Sequence, residues 1–419
     1  MKSYNRPMPL PLTRRRALGA LAAATTAVSA AAAKKPVALI MTEYRQNAHA
    51  DVIGTRLLEG YEHDGKRREP RVRVMSMFAD QKPSNDMSRA MASKHKVMLY
   101  DTVRDALTLG GDKLAVEGVV LIGEHGTYPY NEKLQHLYPR HELFSQVVDV
   151  FRESGRSVPV FCDKHLSVDW LKAKQMYDWS RELKFPLLAG SSLPICWRKP
   201  ALEIPYGAKV KAAVTAHYGP IEAYGFHSLE MLQVMVERRA GGETGVASTQ
   251  MLQGRAVWEW TDTNPWAAKL LDAAVARSLR RKDGAMRENA KEPALILADY
   301  KDGLRTASYL LNGHLSDANF AAEIEGRPEL VSTCFWLQPV RFYGHFSNLC
   351  YFIEETMVSR REPYPPERTL LTTGIIAAAM ESGWRGGQRI ETPHLQFSYT
   401  APRRDPYARG PEPTPEQPA

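Results

Sequence analysis

Three side chains stand out for the chemistry their types and neighbours allow. Lys164 closes a short apolar run, 157–162, with Asp163 just before it. A lysine set past a buried strand can donate a hydrogen bond to a ligand hydroxyl and take part in proton transfer. It can equally be a surface lysine paired with Asp163. His227 follows Phe226, with Glu230 one helical turn on. An imidazole oriented by a carboxylate suits removal of a hydroxyl proton, although a packed or capping histidine is the ordinary alternative. His49 with Asp51, and Glu124 with His125, also pair imidazole and carboxylate. Their spacing fits no established ligand pattern, so no metal is expected. Trp258, Trp260 and Trp266 could stack on a ring-shaped ligand or pack a core.

The elements that must hold these residues follow from hydrophobic periodicity. Short apolar runs at 36–41, 72–75, 97–100, 117–122, 157–162 and 186–189 read as strands. Helical patterns at 51–61, 87–94, 102–109, 141–154 and 168–183 alternate with them. This is the signature of a doubly wound parallel sheet, in which ligands bind beyond the carboxyl ends of the strands. The segments at that edge are 42–51, 78–80, 123–130 and 163–165. They carry His49, Asp80, Gly123, Glu124, His125 and Asp163, with Asn131 just beyond. From about residue 207 the texture changes. Strands at 208–216, 244–252, 294–299, 307–311 and 330–336, with helices starting near His227 and at 349–358 and 370–382, predict a second α/β domain. Its sheet should be open and mostly antiparallel.

Residues 13–18 (TRRRAL) place adjacent arginines ahead of an Ala-rich run ending in small residues such as Ala30-Ala31-Ala32. Charged region, modest apolar region and small-residue cleavage site make 1–33 a twin-arginine signal peptide, so a periplasmic or otherwise exported protein is expected. The domain plan is then 34–190, 191–398 and a tail, 399–419, expected to be disordered because it is rich in proline and charge. The chain of 419 residues, 44% apolar and 24% charged, has ample material for two cores. The net charge of +8 misleads: the leader carries five positives and no acid, leaving +3. That near-neutrality gives no case for nucleic acid. No second stretch approaches membrane length, so no membrane span is expected after the leader is removed. Cys162, Cys196, Cys334 and Cys350 form no C-x-x-C pair, and buried free thiols are the expected state.

Several segments, in order, resemble the glucose–fructose oxidoreductase, inositol dehydrogenase and MocA-like family. Residues 157–166 (SVPVFCDKHL) are similar to its strand followed by Glu-Lys-Pro, with Asp163, Lys164 and His165 at the motif. Residues 219–232 (GPIEAYGFHSLEML) resemble its glycine-led strand and the helix start carrying G-x-H-x-x-D, with His227 and Glu230. Residues 346–393 resemble the family's closing helix, proline break, Ala-rich helix and short strand. The resemblance implies a Rossmann-like nucleotide-binding domain at 34–190 and a substrate domain at 191–398. It implies NAD or NADP as cofactor and a sugar, polyol or glycoside as substrate. Lys164, His227 and Glu230 become the catalytic candidates. His49, Asp80, Gly123, Glu124, His125, Asn131 and Asp163 become cofactor candidates, Asp80 as a ribose contact favouring NAD. Self-association through the C-terminal sheet is a further expectation.

The departures are in the first loop. The family's G-x-G-x-x-G follows the first strand, where glycines let backbone approach a pyrophosphate. Residues 42–51 (TEYRQNAHAD) contain no glycine, and Asp51 stands where a phosphate would be attracted. The alternative is a degenerate member that binds a carbohydrate or protein without chemistry.

Overall fold

A computed structural model describes residues 33–339 and 343–413. Apart from Ala33, the leader lies outside the described residues. The first sheet comprises β1 (Lys35–Met41), β2 (Val72–Ala79), β3 (Met98–Tyr100), β4 (Gly118–Ile122), β5 (Val160–Asp163) and β6 (Leu187–Gly190). All pair in parallel, in the order β3-β2-β1-β4-β5-β6. Most of β1 and all of β4 are buried, which is why both read as unbroken apolar runs. Between the strands run α1 (Ala50–Thr55 as a wide π-turn, continuing as Arg56–Glu59), α2 (Ser88–His95), α3 (Val103–Thr108), α4 (Arg140–Ser154) and α5 (Trp170–Glu182). Val103 and Leu107 of α3, with Leu143, Phe144 and Val147 of α4, pack on Ile40 and Leu121. The strand order reverses between β1 and β4, and that switch point opens a crevice at their carboxyl ends.

The second sheet comprises β7 (Trp197–Lys199), β8 (Val210–His217), β9 (Val246–Gln253), β10 (Ala294–Tyr300), β11 (Arg305–Leu310), β12 (Ala318–Ile324), β13 (Val331–Trp336) and β14 (Ile390–Glu391). Its order among the described residues is β14-β9-β10-β11-β8-β12-β13-β7. Of these pairs β8–β11 is parallel and the others are antiparallel. One face is covered by α6 (Ile221–Val236) and, later in the chain, by the helix that ends at Trp384. The other face carries α7 (Arg255–Thr263) and α8 (Pro265–Val275), whose Val257, Leu270, Leu271 and Ala274 pack on Val214, Leu297 and Tyr309. Trp258, Trp260 and Trp266 lie against this cluster, so they are core-packing aromatics. Both faces of this sheet therefore carry helices. A short helix, α9 (Met286–Asn289), precedes β10.

Two helices follow β13: α10 (His345–Ser359) and α11 (Glu367–Trp384). Helix α10 returns to the first sheet, where Phe346, Leu349 and Ile353 join Leu39, Met41, Ile53 and Met77 in one core. The first core thus takes residues from well past the boundary drawn at 190. Residues 399–413 are not the free tail their composition suggested. Asp405 is buried and accepts hydrogen bonds of 2.5 and 3.0 Å from the Arg198 guanidinium. The Trp197 indole donates to the Gly410 carbonyl at 2.8 Å. A buried ion pair and an aromatic anchor suffice to order a segment whose average composition is loop-like; residues 414–419 lie outside the described residues. All four cysteines are free and buried. Among the described residues no helix is long and apolar enough to cross a membrane.

Candidate active site at the carboxyl edge of the parallel sheet

The site begins where β1 and β5 end. His49, at the start of α1, places Nδ1 2.6 Å from the Asp163 carboxylate. The Lys164 ammonium lies 2.8 Å from Nε2 of the same ring and 3.0 Å from Nδ1. With the Nδ1 hydrogen donated to Asp163, Nε2 is left to accept from Lys164, which fixes the tautomer. Lys164 is buried and leaves its strand in the left-handed region, with φ of 67°. Burial pushes the Asp163 carboxyl up, but His49 and Lys164 outweigh it and hold the group well below the usual carboxylate range.

A second chain of charges lies beside the first. Glu124 accepts a 2.6 Å hydrogen bond from the Arg140 guanidinium, which also comes within 3.1 Å of His165 Nε2. That nitrogen is 2.7 Å from a Glu222 carboxylate oxygen. Burial opposes ionisation of Glu124, yet Lys164 and Arg140 hold it well below its ordinary range. Glu222 is lowered as well, His165 outweighing its burial. Arg140 and Glu222 were missed in the sequence. A signal for Arg140 existed: Arg140, Leu143, Phe144 and Val147 share one helical face, so the arginine stands on the apolar stripe of α4. Gly123 is spent on this arginine, since a Cβ there would lie 2.6 Å from Arg140 Cγ.

Glu124, His125 and Glu222 line a cleft of about 500 Å³, closed on the far side by residues of β9 and α11. His125 follows β4 with a φ of 71°, a strained backbone that turns its ring into the crevice region. Burial, then the neighbouring His49, pushes its imidazole down to about 4, so the ring is neutral at neutral pH. Lys164 and His227 do not line this cleft.

Helix α6 starts at Ile221, so His227 sits in its second turn instead of at its start. Gly225 lies inside the helix because the helix packs so closely that a Cβ would meet Ile296 and Ile376 at 3.0 Å. His227 Nδ1 is 2.6 Å from the Ser191 hydroxyl. Burial and then the Lys164 charge push His227 well below its ordinary range. Glu230 does not orient that ring. Its carboxylate accepts from the Ser191 amide at 3.2 Å and from the Thr369 and Thr372 hydroxyls at 3.2 and 2.7 Å. Burial pushes Glu230 up. The two side chains meet only through Ser191, a residue the sequence reading did not single out.

The remaining cofactor candidates are engaged locally. Asp80 is exposed past β2 and accepts a 2.6 Å hydrogen bond from the Tyr128 hydroxyl. Asn131 closes a turn: its side-chain Oδ1 accepts from the Lys133 and Gln135 amides, both at 3.0 Å. In the first loop the Asn47 amide donates to Asp51 at 2.9 Å, and the Ala48 amide to the Arg45 carbonyl. The Asp51 and Val52 amides both reach the Ala48 carbonyl. Tyr44 fills the space beneath, fully buried, with its hydroxyl 2.7 Å from Thr55 Oγ1. The Asn47, Ala48, Asp51 and Val52 amides are thus already bonded, and an acid stands in the first turn. This loop does not fit a pyrophosphate in the seat the fold usually provides.

A parallel sheet with this strand order and a mostly antiparallel sheet meet at this cleft. The chain has the fold of the glucose–fructose oxidoreductase, inositol dehydrogenase and MocA-like proteins. It is similar to GenD2 from gentamicin A biosynthesis, solved with NAD, at 13% identity and a TM-score of 0.54, covering 86% of this chain and 96% of that one. An Agrobacterium radiobacter oxidoreductase solved with NAD+, L-tartaric acid and magnesium gives 12% and 0.53, covering 86% and 99%. An inositol dehydrogenase homolog from Azotobacter vinelandii, with NADH and myo-inositol, gives 12% and 0.52, covering 86% and 98%. No family model matches the sequence, and no curated protein matches it significantly.

Proposed function

We propose that the chain is an exported enzyme of oxidoreductase type acting on a sugar, polyol or glycoside. The observation that carries the reading is a neutral imidazole, His125, beside two ionised, buried carboxylates on the wall of one cleft at the sheet's switch point. Glu124 and Glu222 accept hydrogen bonds from ligand hydroxyls. The His125 imidazole takes the proton of the reacting hydroxyl, and the adjacent Glu124 stabilises the imidazolium that forms. Burial, then His49 and Lys164, keeps that ring uncharged and so free to accept a proton. Solved structures of this fold hold NAD or NADH, and a nucleotide bound here would have to sit apart from the filled first loop.

A second reading, a member that binds a carbohydrate or protein without chemistry, is favoured by the filled first loop. The two separate cleanly. Purified protein is denatured and assayed for nicotinamide by mass spectrometry, then the native protein is tested on a sugar and polyol panel with each dinucleotide. Bound nicotinamide, or turnover lost in His125→Ala, supports the enzyme; neither of them leaves the binding reading.

A further inference from the structure

The cleft has two chemically different ends. Its inner wall is polar and ionised, with Glu124 and Glu222 only 8% and 7% exposed. Its rim carries three large apolar side chains in water: Leu134 at 74%, Tyr130 at 63% and Trp384 at 54% exposure. These come from two separate parts of the chain, the loop after β4 and the last residue of α11. Large exposed apolar side chains gathered at one cleft mark a binding surface more often than scattered exposure does.

The rim is also held in place. Tyr130 stacks on His136, with ring centres 4.3 Å apart and planes 21° from parallel. Lys133, ion-paired with Glu381, sets its ammonium 5.8 Å from the centre of the Trp384 ring. At about 500 Å³ the cleft falls in the range that takes ligands larger than one sugar ring.

We infer that the ligand is amphipathic: a hydroxyl-bearing ring that meets Glu124 and Glu222, joined to a planar apolar group that rests on Tyr130, Leu134 and Trp384. An aryl glycoside has this chemistry. The inference rests on the cleft being the site of a hydroxyl-bearing ligand, and it requires no turnover.

The test is calorimetric binding of matched methyl and phenyl glycosides of common hexoses and pentoses to the mature chain. For at least one sugar the phenyl member should bind about tenfold tighter or more, from the added apolar burial. Trp384→Ala and Leu134→Ala, both surface changes, should each shrink that gap while leaving the methyl member's affinity unchanged. Equal binding within every pair, a gap that both variants leave intact, no binding by any member, or phenol alone binding as tightly as its glycoside would each overturn it. Because the readout is affinity, absence of turnover with either dinucleotide would sink the enzyme reading and leave this result to stand or fall alone.

Discussion

His49 Nδ1 and the Asp163 carboxylate lie 2.6 Å apart although 114 positions separate them. The contact ties the start of α1, just past β1, to the end of β5, and Lys164 completes it from the other side of the ring. Asp163→Asn keeps the shape and removes the carboxylate charge that the Lys164 ammonium and the His49 ring face. Breaking a buried ion pair from one side costs on the order of 3–5 kcal/mol, to be read from urea unfolding. Unchanged stability would show that the three groups are not an ionic unit.

His125→Ala should lower kcat by about 10²–10⁴-fold on whichever sugar or polyol proves to be a substrate, with the fold intact by circular dichroism. His227→Ala should cost less, because His227 lines no part of the cleft and meets Ser191 instead. Equal losses in kcat/KM for the two variants would return His227 to the reacting centre.

Gly190→Ala probes the junction of the two sheets. Gly190 has a φ of 114°, and a Cβ there would stand 2.5 Å from a Glu230 oxygen and 2.6 Å from the Thr369 hydroxyl. Backbone strain alone costs on the order of 1–3 kcal/mol, and the collision adds to it. Thermal unfolding should show a clearly lower Tm; a wild-type value would mean this packing is loose.

Burial pushes His217 down to about 4 and His345 to about 3, and both side chains are buried. In the unfolded chain such rings take up protons near pH 6.5. Between there and about 4 the unfolded state holds more protons, so these groups lower stability as the pH falls. Glu230 and Glu237, pushed up by burial, act in the opposite sense. The imidazole share is isolated by His217→Gln, whose Tm should decline less than the wild type's between pH 7 and 5. A parallel decline would deny His217 that role.

Export should depend on Arg14 and Arg15. Replacing both with lysine should leave unprocessed precursor in the cytoplasm, read by fractionation and immunoblot; normal release of mature protein would refute the leader.

The sheet that builds the site was legible because β1 and β4 are buried on both faces and spell unbroken apolar runs. Knowing the carboxyl edge then sufficed to reach His49, Glu124, His125, Asp163 and Lys164. What stayed hidden depended on partners far away in sequence. Glu230 looked like the orienter of His227 because they sit one turn apart, yet Ser191 and two threonines of α11 claim it. Helices α7 and α8 stayed hidden because the core that their tryptophans pack against, the more expected of the two roles, is built from distant strands, with Val214, Leu297 and Tyr309. Strand β12 was missed because Asn319 and Glu323 blur its alternation.

The return of α10 to the first core has a consequence for how the protein is made. Until residues 345–359 leave the ribosome, the face of β1 and β2 that holds Leu39, Met41 and Met77 has no Phe346, Leu349 or Ile353 to cover it. The half synthesised first cannot mature on its own; its closure awaits the half synthesised last. Folding is therefore an event of the whole released chain, and an N-terminal domain expressed alone should be sticky and poorly folded.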